Sequence, residues 1–439
     1  MKLLIIGLDC ADWKVINDLR EDLPNISMIV EEGLYGNMRT TFPPITIPAW
    51  LVMATGKSPG ELGVYGFRHR KHSSYTDFWI VDSRRVKERK IWDIVGERGM
   101  RSTIIGLPPT YPPTPIRGYM ISDFITPDDT KTYTYPPMLK KDIERLIGKY
   151  IFDVEFRRED KSGIKRELWD MTERRFKVIR YLLSKKWDLF WFVEIGVDRA
   201  HHAFWKYYDK EHHLYQEHPE YSNVIPNYYK MVDDEIGKIL SILPKDTAVM
   251  LVSDHGVKRM KGAFAINDYL AKEGLLRFEK KPKPGTRLGC IDWSKTVAWG
   301  WGGYYARVFI NVQGREPKGV IPPGKYDETV EHVADTLRSA RGPNGEKWKN
   351  IVVRPSDIYP VVKGDPPDLM VVFDDLYWRS AGTVGYDSPY LPENDTGPDD
   401  AMHDWNGVFA LWGEGIDRGR RDVDILDIMK IMTDVLTKY

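Results

Sequence analysis

Three unbroken apolar runs lead to acidic residues: Lys2–Leu8 (KLLIIGL) to Asp9, 189–195 (LFWFVEI) to Asp198, and Thr247–Val252 (TAVMLV) to Asp254 and His255. Runs of this kind, without polar alternation, read as strands buried on both faces. Further strands are expected at 102–107, 368–373 and 407–412. Stretches with helical spacing fall between them, at Pro24–Glu32 before Gly33, after the Thr46 segment, at 90–97 before Gly99, at 166–186 and at 223–243. This alternation predicts an α/β fold with a mostly parallel central sheet covered by helices on both faces. In open sheets of that type ligands gather beyond the carboxyl ends of the strands, so the acids above should emerge together at one edge.

Two stretches break the rhythm. Residues 108–137 are rich in Pro, Thr and Tyr, and 280–323 mix Lys, Pro, Gly and Trp; both read as excursions over the site end, with a lid or insertion at about 275–325. Because the candidate ligands run from Asp9 to His403, both ends of the chain are needed at one site, which favours a single catalytic domain over 1–439. The 64 basic and 64 acidic residues cancel, so no nucleic-acid surface is indicated. No apolar stretch approaches the ~20 residues of a membrane span. The first run comes after one lysine and reaches Asp9 without a cleavage pattern, so it reads as a strand and not a signal peptide. Cys10 and Cys290 are too few for a disulfide framework and fit a reducing, cytoplasmic setting.

The candidate chemistry lies in four segments. In PPITIPAW, Pro48 suits the first turn of a helix, which puts Thr46 near a helix N-terminus. A hydroxyl there can attack phosphorus when a metal lowers its pKa, or it can simply cap the helix. In GVDRAHHAFW, Asp198 and His202 are spaced i, i+4 and share a helix face, as a metal pair or as an ion pair. That spacing selects His202 over His201. SDHG sets Asp254 and His255 at a strand end with Gly256 allowing a tight turn, either as ligands or as an ordinary loop. His403 in AMHDWNG would complete the set. Lys57, Arg68, His69 and Arg70 are candidate anion contacts or a solvated loop. Asn267 is a candidate substrate contact or a helix cap, and Trp293, Trp299, Trp301, Tyr304 and Tyr305 form a wall or core packing.

The ordered set Asp9, Thr46, Asp198 with His202, Asp254 with His255, and His403 resembles the alkaline phosphatase superfamily in its type I phosphodiesterase/nucleotide pyrophosphatase branch. The segments LDCADW, TIPAWLVMATGKSPGELGVYGF, VDRAHHAFW, VSDHG, IDWSKTVAW and INVQGREPKGVI are most similar to the predicted phosphohydrolases or phosphomutases of that superfamily. The resemblance implies a three-layer alkaline-phosphatase-like sandwich and two divalent metal ions, zinc first and manganese second. One ion would be held by Asp9, Thr46, Asp254 and His255, the other by Asp198, His202 and His403. Thr46 would be the nucleophile, and the substrate a phosphodiester, nucleotide pyrophosphate or monoester cleaved through a phosphothreonine. Phosphomutase chemistry and a catalytically idle binding module are the alternatives. Ala49 stands where nucleotide pyrophosphatases carry a phosphate-binding Asn, and Glu61-Leu62-Gly63 replace a related His-Gly, so the substrate class is less defined than the metal chemistry. A sulfatase is disfavoured, since neither cysteine lies in a C-x-P-x-R context and the nucleophile position is Thr. The sequence indicates no particular oligomeric state.

Overall fold

Strand β1 (Lys2–Leu8) lies between two parallel neighbours, and its register pairs Ile5 with both Trp191 and Met250. The computed structural model describes residues 1–437, divided into two units. The first comprises Met1–Ser58, Val81–Val257 and the chain from His403 onward, and the second Pro59–Ile80 and Lys258–Met402.

The first unit holds a sheet with ten strands among the described residues. After β1 come β2 (Leu34–Arg39), β3 (Ser102–Ile105), β4 (Gly118–Ile121), β5 (Thr134–Tyr135), β6 (Leu189–Glu194), β7 (Thr247–Val252), β8 (Asn406–Trp412), β9 (Gly419–Arg420) and β10 (Val423–Asp424). Their order is β9-β2-β8-β7-β1-β6-β3-β4-β5, with β10 also beside β2. Only β8 and β5 run antiparallel to their neighbours. Every residue of β6 and β7 is buried, as their unbroken apolar sequences require.

Side chains alternate across a strand, so adjacent residues identify the two faces. After helix α1 (Pro24–Glu32) comes α2 (Thr46–Thr55), whose Trp50 meets Trp191, whereas the next residue of the strand, Phe192, meets Phe176 of helix α3 (Lys161–Leu183). Helices therefore cover both faces, which makes the expected three layers.

Two expectations need correction. Residues 108–137 are not only an excursion, because they supply β4 and β5 to the sheet. Strand Leu369–Val372 does not join the central sheet: it lies in a four-stranded antiparallel sheet of the second unit, with Ala298–Trp301, Ala306–Ile310 and Ile351–Val353. The 275–325 stretch is thus part of a larger unit built from 59–80 and 258–402. Its aromatics fill that unit's core. Trp299 is fully buried, and Trp293 stacks on Tyr75 at 3.8 Å. Arg70 is spent on a buried ion pair with Glu316.

Gly7 of β1 shows how tightly the first unit is packed near its carboxyl edge. A Cβ there would meet Phe192 O and Trp50 at 2.8 Å each. Gly7→Ala should therefore destabilise the fold by about 1–3 kcal/mol, read as a lowered thermal midpoint. A midpoint equal to wild type would show that the sheet gives way there without cost.

Candidate metal centre

Asp9 directly follows β1, Asp254 and His255 follow β7, and Asp198 lies in helix α4 (Gly196–Tyr208), which starts just past β6. His403 precedes the antiparallel β8, which brings it to the same edge. The start of α4 is fixed by the buried Glu194, whose Oε1 accepts from Gly196 N at 2.8 Å and from Arg175 at 3.1 Å. There is no room for a side chain at Gly196, because a Cβ would meet the Tyr228 hydroxyl at 1.8 Å.

All seven expected ligands lie in the first unit, and each is at least nine-tenths buried. Asp9, Asp254 and His255 form one group whose ligand atoms all fall within 4.8 Å of one another, and Asp198, His255 and His403 form another. Thr46 Oγ1 is 3.3 Å from His255 Nε2. Asp198 Oδ1 is 3.2 Å from His202 Nε2 and 3.7 Å from His403 Nε2. His201 instead meets the Tyr229 hydroxyl at 3.2 Å, and burial pushes its pKa down to about 3.

One oxygen of each carboxylate is anchored, while the other makes no well-formed hydrogen bond and faces imidazole nitrogens, Asp198 Oδ1 at 3.2 Å from His202 Nε2 and Asp254 Oδ2 at 3.1 Å from His255 Nε2. Asp9 Oδ2 accepts from Trp50 Nε1 at 2.7 Å, Asp254 Oδ1 accepts from Cys10 N at 3.1 Å, and Asp198 Oδ2 accepts from Arg199. Asp9 Oδ1, Asp254 Oδ2 and Asp198 Oδ1 are buried without a well-formed hydrogen bond. Buried oxygens left in this state cost free energy unless a cation meets them. The histidines are oriented to match. His403 Nδ1 is 2.6 Å from Pro44 O and His255 Nδ1 is 3.1 Å from Gly256 O. A carbonyl can only accept, so each Nδ1 carries the proton and each Nε2 faces the centre, as second partners of metal-binding histidines do.

The charges are strongly coupled. Burial, with Asp254 and Asp198 adding to it, pushes Asp9 well above the usual carboxylate range. Burial would also raise Asp198, but His202, Arg199 and His403 hold it well below that range. For His255 burial acts downward and is outweighed by Asp254, Asp9 and Asp198, which bring the imidazole up to about 9. Protons thus partly neutralise a cavity whose donor set of carboxylates, imidazoles and a hydroxyl suits zinc or manganese.

The proposed substrate contacts are dispersed. Lys57 is exposed in the first unit, while Arg68, His69 and Asn267 belong to the second. Arg68 lies over the Phe78 ring, and His69 stacks on Trp79 at 4.3 Å and accepts from Tyr65 N. Asn267 does not cap its helix, whose N-cap is Ala265; it is buried and bonded in both directions to the backbone of Gly300. Nor is Thr46 a cap, since it is the first residue of α2 and Ile45 takes the cap position without a side-chain bond. Sequence reasoning missed Trp50, Arg199 and Cys10. Trp50 sits four residues beyond Thr46 on α2, a helical spacing that could have flagged it, and Arg199 directly follows Asp198.

An α/β sandwich with this cluster at its carboxyl edge belongs to the alkaline phosphatase superfamily, and the protein is a phosphoric ester hydrolase. The chain is a member of the type I phosphodiesterase/nucleotide pyrophosphatase family, whose profile it matches over residues 3–399, ending before His403. That family generally uses two divalent metals. No curated protein sequence matches the chain at a significant level. Among solved structures, human ectonucleotide pyrophosphatase/phosphodiesterase 5 is similar at 15% identity and a TM-score of 0.60, over 99% of this chain and 95% of that one. The murine counterpart, inactivated by a threonine-to-alanine substitution and in complex with AMP, is similar at 14% identity and 0.60, with the same coverage.

Trp50 is positioned to decide which oxygen Asp9 presents. Trp50→Phe keeps most of the ring volume and removes the donor, so metal affinity measured by titration calorimetry should fall about 10–100-fold with the circular dichroism spectrum unchanged. Wild-type affinity in this variant would remove Trp50 from the site's construction.

Proposed function

We propose that the chain cleaves small phosphate esters or nucleotides through a phosphothreonine on Thr46 at a two-metal site. Asp9, Thr46, Asp254 and His255 would hold one ion, and Asp198, His202 and His403 the other. The observation that carries this reading is the set of three carboxylate oxygens without a well-formed hydrogen bond grouped about the His255 and His403 imidazoles, with Thr46 Oγ1 3.3 Å from His255 Nε2. Divalent ions bound there would acidify the Thr46 hydroxyl and withdraw charge from the phosphoryl oxygens. The chain's part is to hold Thr46 Oγ1 at the end of α2 for in-line attack, and to keep Asp9, Asp254 and Asp198 in one orientation through Trp50, Cys10 N and Arg199. Attack forms the Thr46 phosphoester as the leaving group departs, and water then cleaves it. Zinc is favoured by three histidines, with manganese second. The murine relative's complex with AMP supports a nucleotide or nucleotide ester as substrate. Both cysteines are free, which supports a reducing compartment and a cytoplasmic enzyme. No described helix is long and apolar enough to cross a membrane.

A phosphomutase stays the second reading. A mutase needs a substantial closing domain, and the second unit, spanning 59–80 and 258–402, is larger than the 280–323 excursion alone. A mutase would return the phosphoryl group to its substrate, so free phosphate measured against isomerised product separates the two.

Turnover of p-nitrophenyl phosphate, bis-p-nitrophenyl phosphate and a nucleotide, each with zinc and with manganese, tests the assignment. Thr46→Ala should lose nearly all activity while still binding metal, and Thr46→Ser should retain part of it. A purely structural Thr46 would cost about 1 kcal/mol of stability and leave turnover intact. Chelation, or Asp254→Asn, should lower activity by several orders of magnitude, since catalytic metals supply several kcal/mol. Turnover that survives exhaustive chelation would refute the metal mechanism.

A further inference from the structure

Cys10 follows the first acid directly, and its backbone lies in the left-handed region at φ 62°. For a residue other than glycine this is a strained backbone that the surroundings must hold in place. The turn is held because Cys10 N donates to Asp254 Oδ1 at 3.1 Å. In that conformation Sγ forms a buried group with a carboxylate oxygen of Asp198 and a ring nitrogen of His202, all within 4.8 Å of one another. An independent feature points into the same space: Asp198 Oδ1 is buried and makes no well-formed hydrogen bond.

We propose that Cys10 is a fourth protein ligand of the metal position formed by Asp198, His202 and His403, giving that position a thiolate. This rests on the two-metal reading above. In the structure Sγ donates to Gly256 O at 3.4 Å, a weak hydrogen bond of ordinary length for a thiol. As the sulfur–metal bond forms, that contact is given up and the thiol proton passes to solvent. Zinc expands to five ligands in catalytic sites, so a fourth protein donor still leaves room for a phosphoryl oxygen. The consequence is metal selection. Oxygen and imidazole ligands accept manganese and zinc alike, whereas a thiolate favours zinc, cobalt and cadmium over manganese and magnesium. The position holding Cys10 would then be the zinc-selective one of the two.

Cobalt titration of the metal-free protein provides the test, because a thiolate bound to cobalt gives a charge-transfer band in the near ultraviolet that oxygen and nitrogen ligands do not. Wild type and Cys290→Ser should bind two cobalt ions and show the band. Cys10→Ser and Cys10→Gly should bind cobalt without it, and their ratio of zinc to manganese affinity should fall on the order of tenfold or more. Glycine accepts the left-handed backbone freely, so Cys10→Gly guards against a misfolded serine variant. Two cobalt ions bound to wild type with no charge-transfer band would overturn the thiolate ligand and leave the two-metal reading standing. Failure to bind cobalt at all would overturn both.

Discussion

Three like-charged carboxylates buried at one sheet edge are the constraint on which the first unit depends. Charges at the 4.8 Å separation allowed between the ligand atoms of Asp9 and Asp254 repel by about 3–4 kcal/mol even at an effective dielectric near 20. Burial removes the water that would otherwise screen them. Asp198 offsets its own cost with Arg199, which is itself clasped by both oxygens of Asp153. For Asp9 and Asp254 the relief is the proton on His255 and the raised affinity of Asp9 for one of its own. A cavity in this condition is poised for cations, and the anchored oxygens ensure that a cation would meet a fixed geometry.

The residues of the cluster were legible because each sits where chemistry and chain geometry coincide. An unbroken apolar run is a buried strand, and parallel strands deliver the residues after their carboxyl ends to one side, so Asp9, Asp198 and Asp254 could be placed together from the sequence alone. The i, i+4 spacing likewise separated His202 from His201. The supporting shell was harder to see. Trp50 reaches Asp9 across 41 positions, and Pro44 O reaches His403 across 359, contacts that no local pattern announces.

The misread elements share a cause. Strand β2, LYGNMR, was not among the expected strands because it mixes glycine, asparagine and arginine, yet Gly36 is required there because a Cβ would lie 2.2 Å from Arg421 O. Periodicity reports burial, and here a close backbone approach set the sequence. Leu369–Val372 looked like a strand of the central sheet because its apolar pattern says how deeply it is buried but not against which partner. Segment 108–137 hid two short strands because its prolines lie in the connections around β4 and β5 and mask them.

The position of β8 has a consequence for how the molecule comes to exist. β2 ends at Arg39, but its neighbours β8, β9 and β10 all lie after residue 405. On the ribosome β2 therefore has no partner until the segment beyond residue 405 has emerged, and β7 keeps an open edge until then. Pairings of such high sequence separation form slowly, because the loop entropy is lost before contacts reward it. His403 lies just before β8, so the pairing of β8 with β2 and β7 also brings His403 to the cluster.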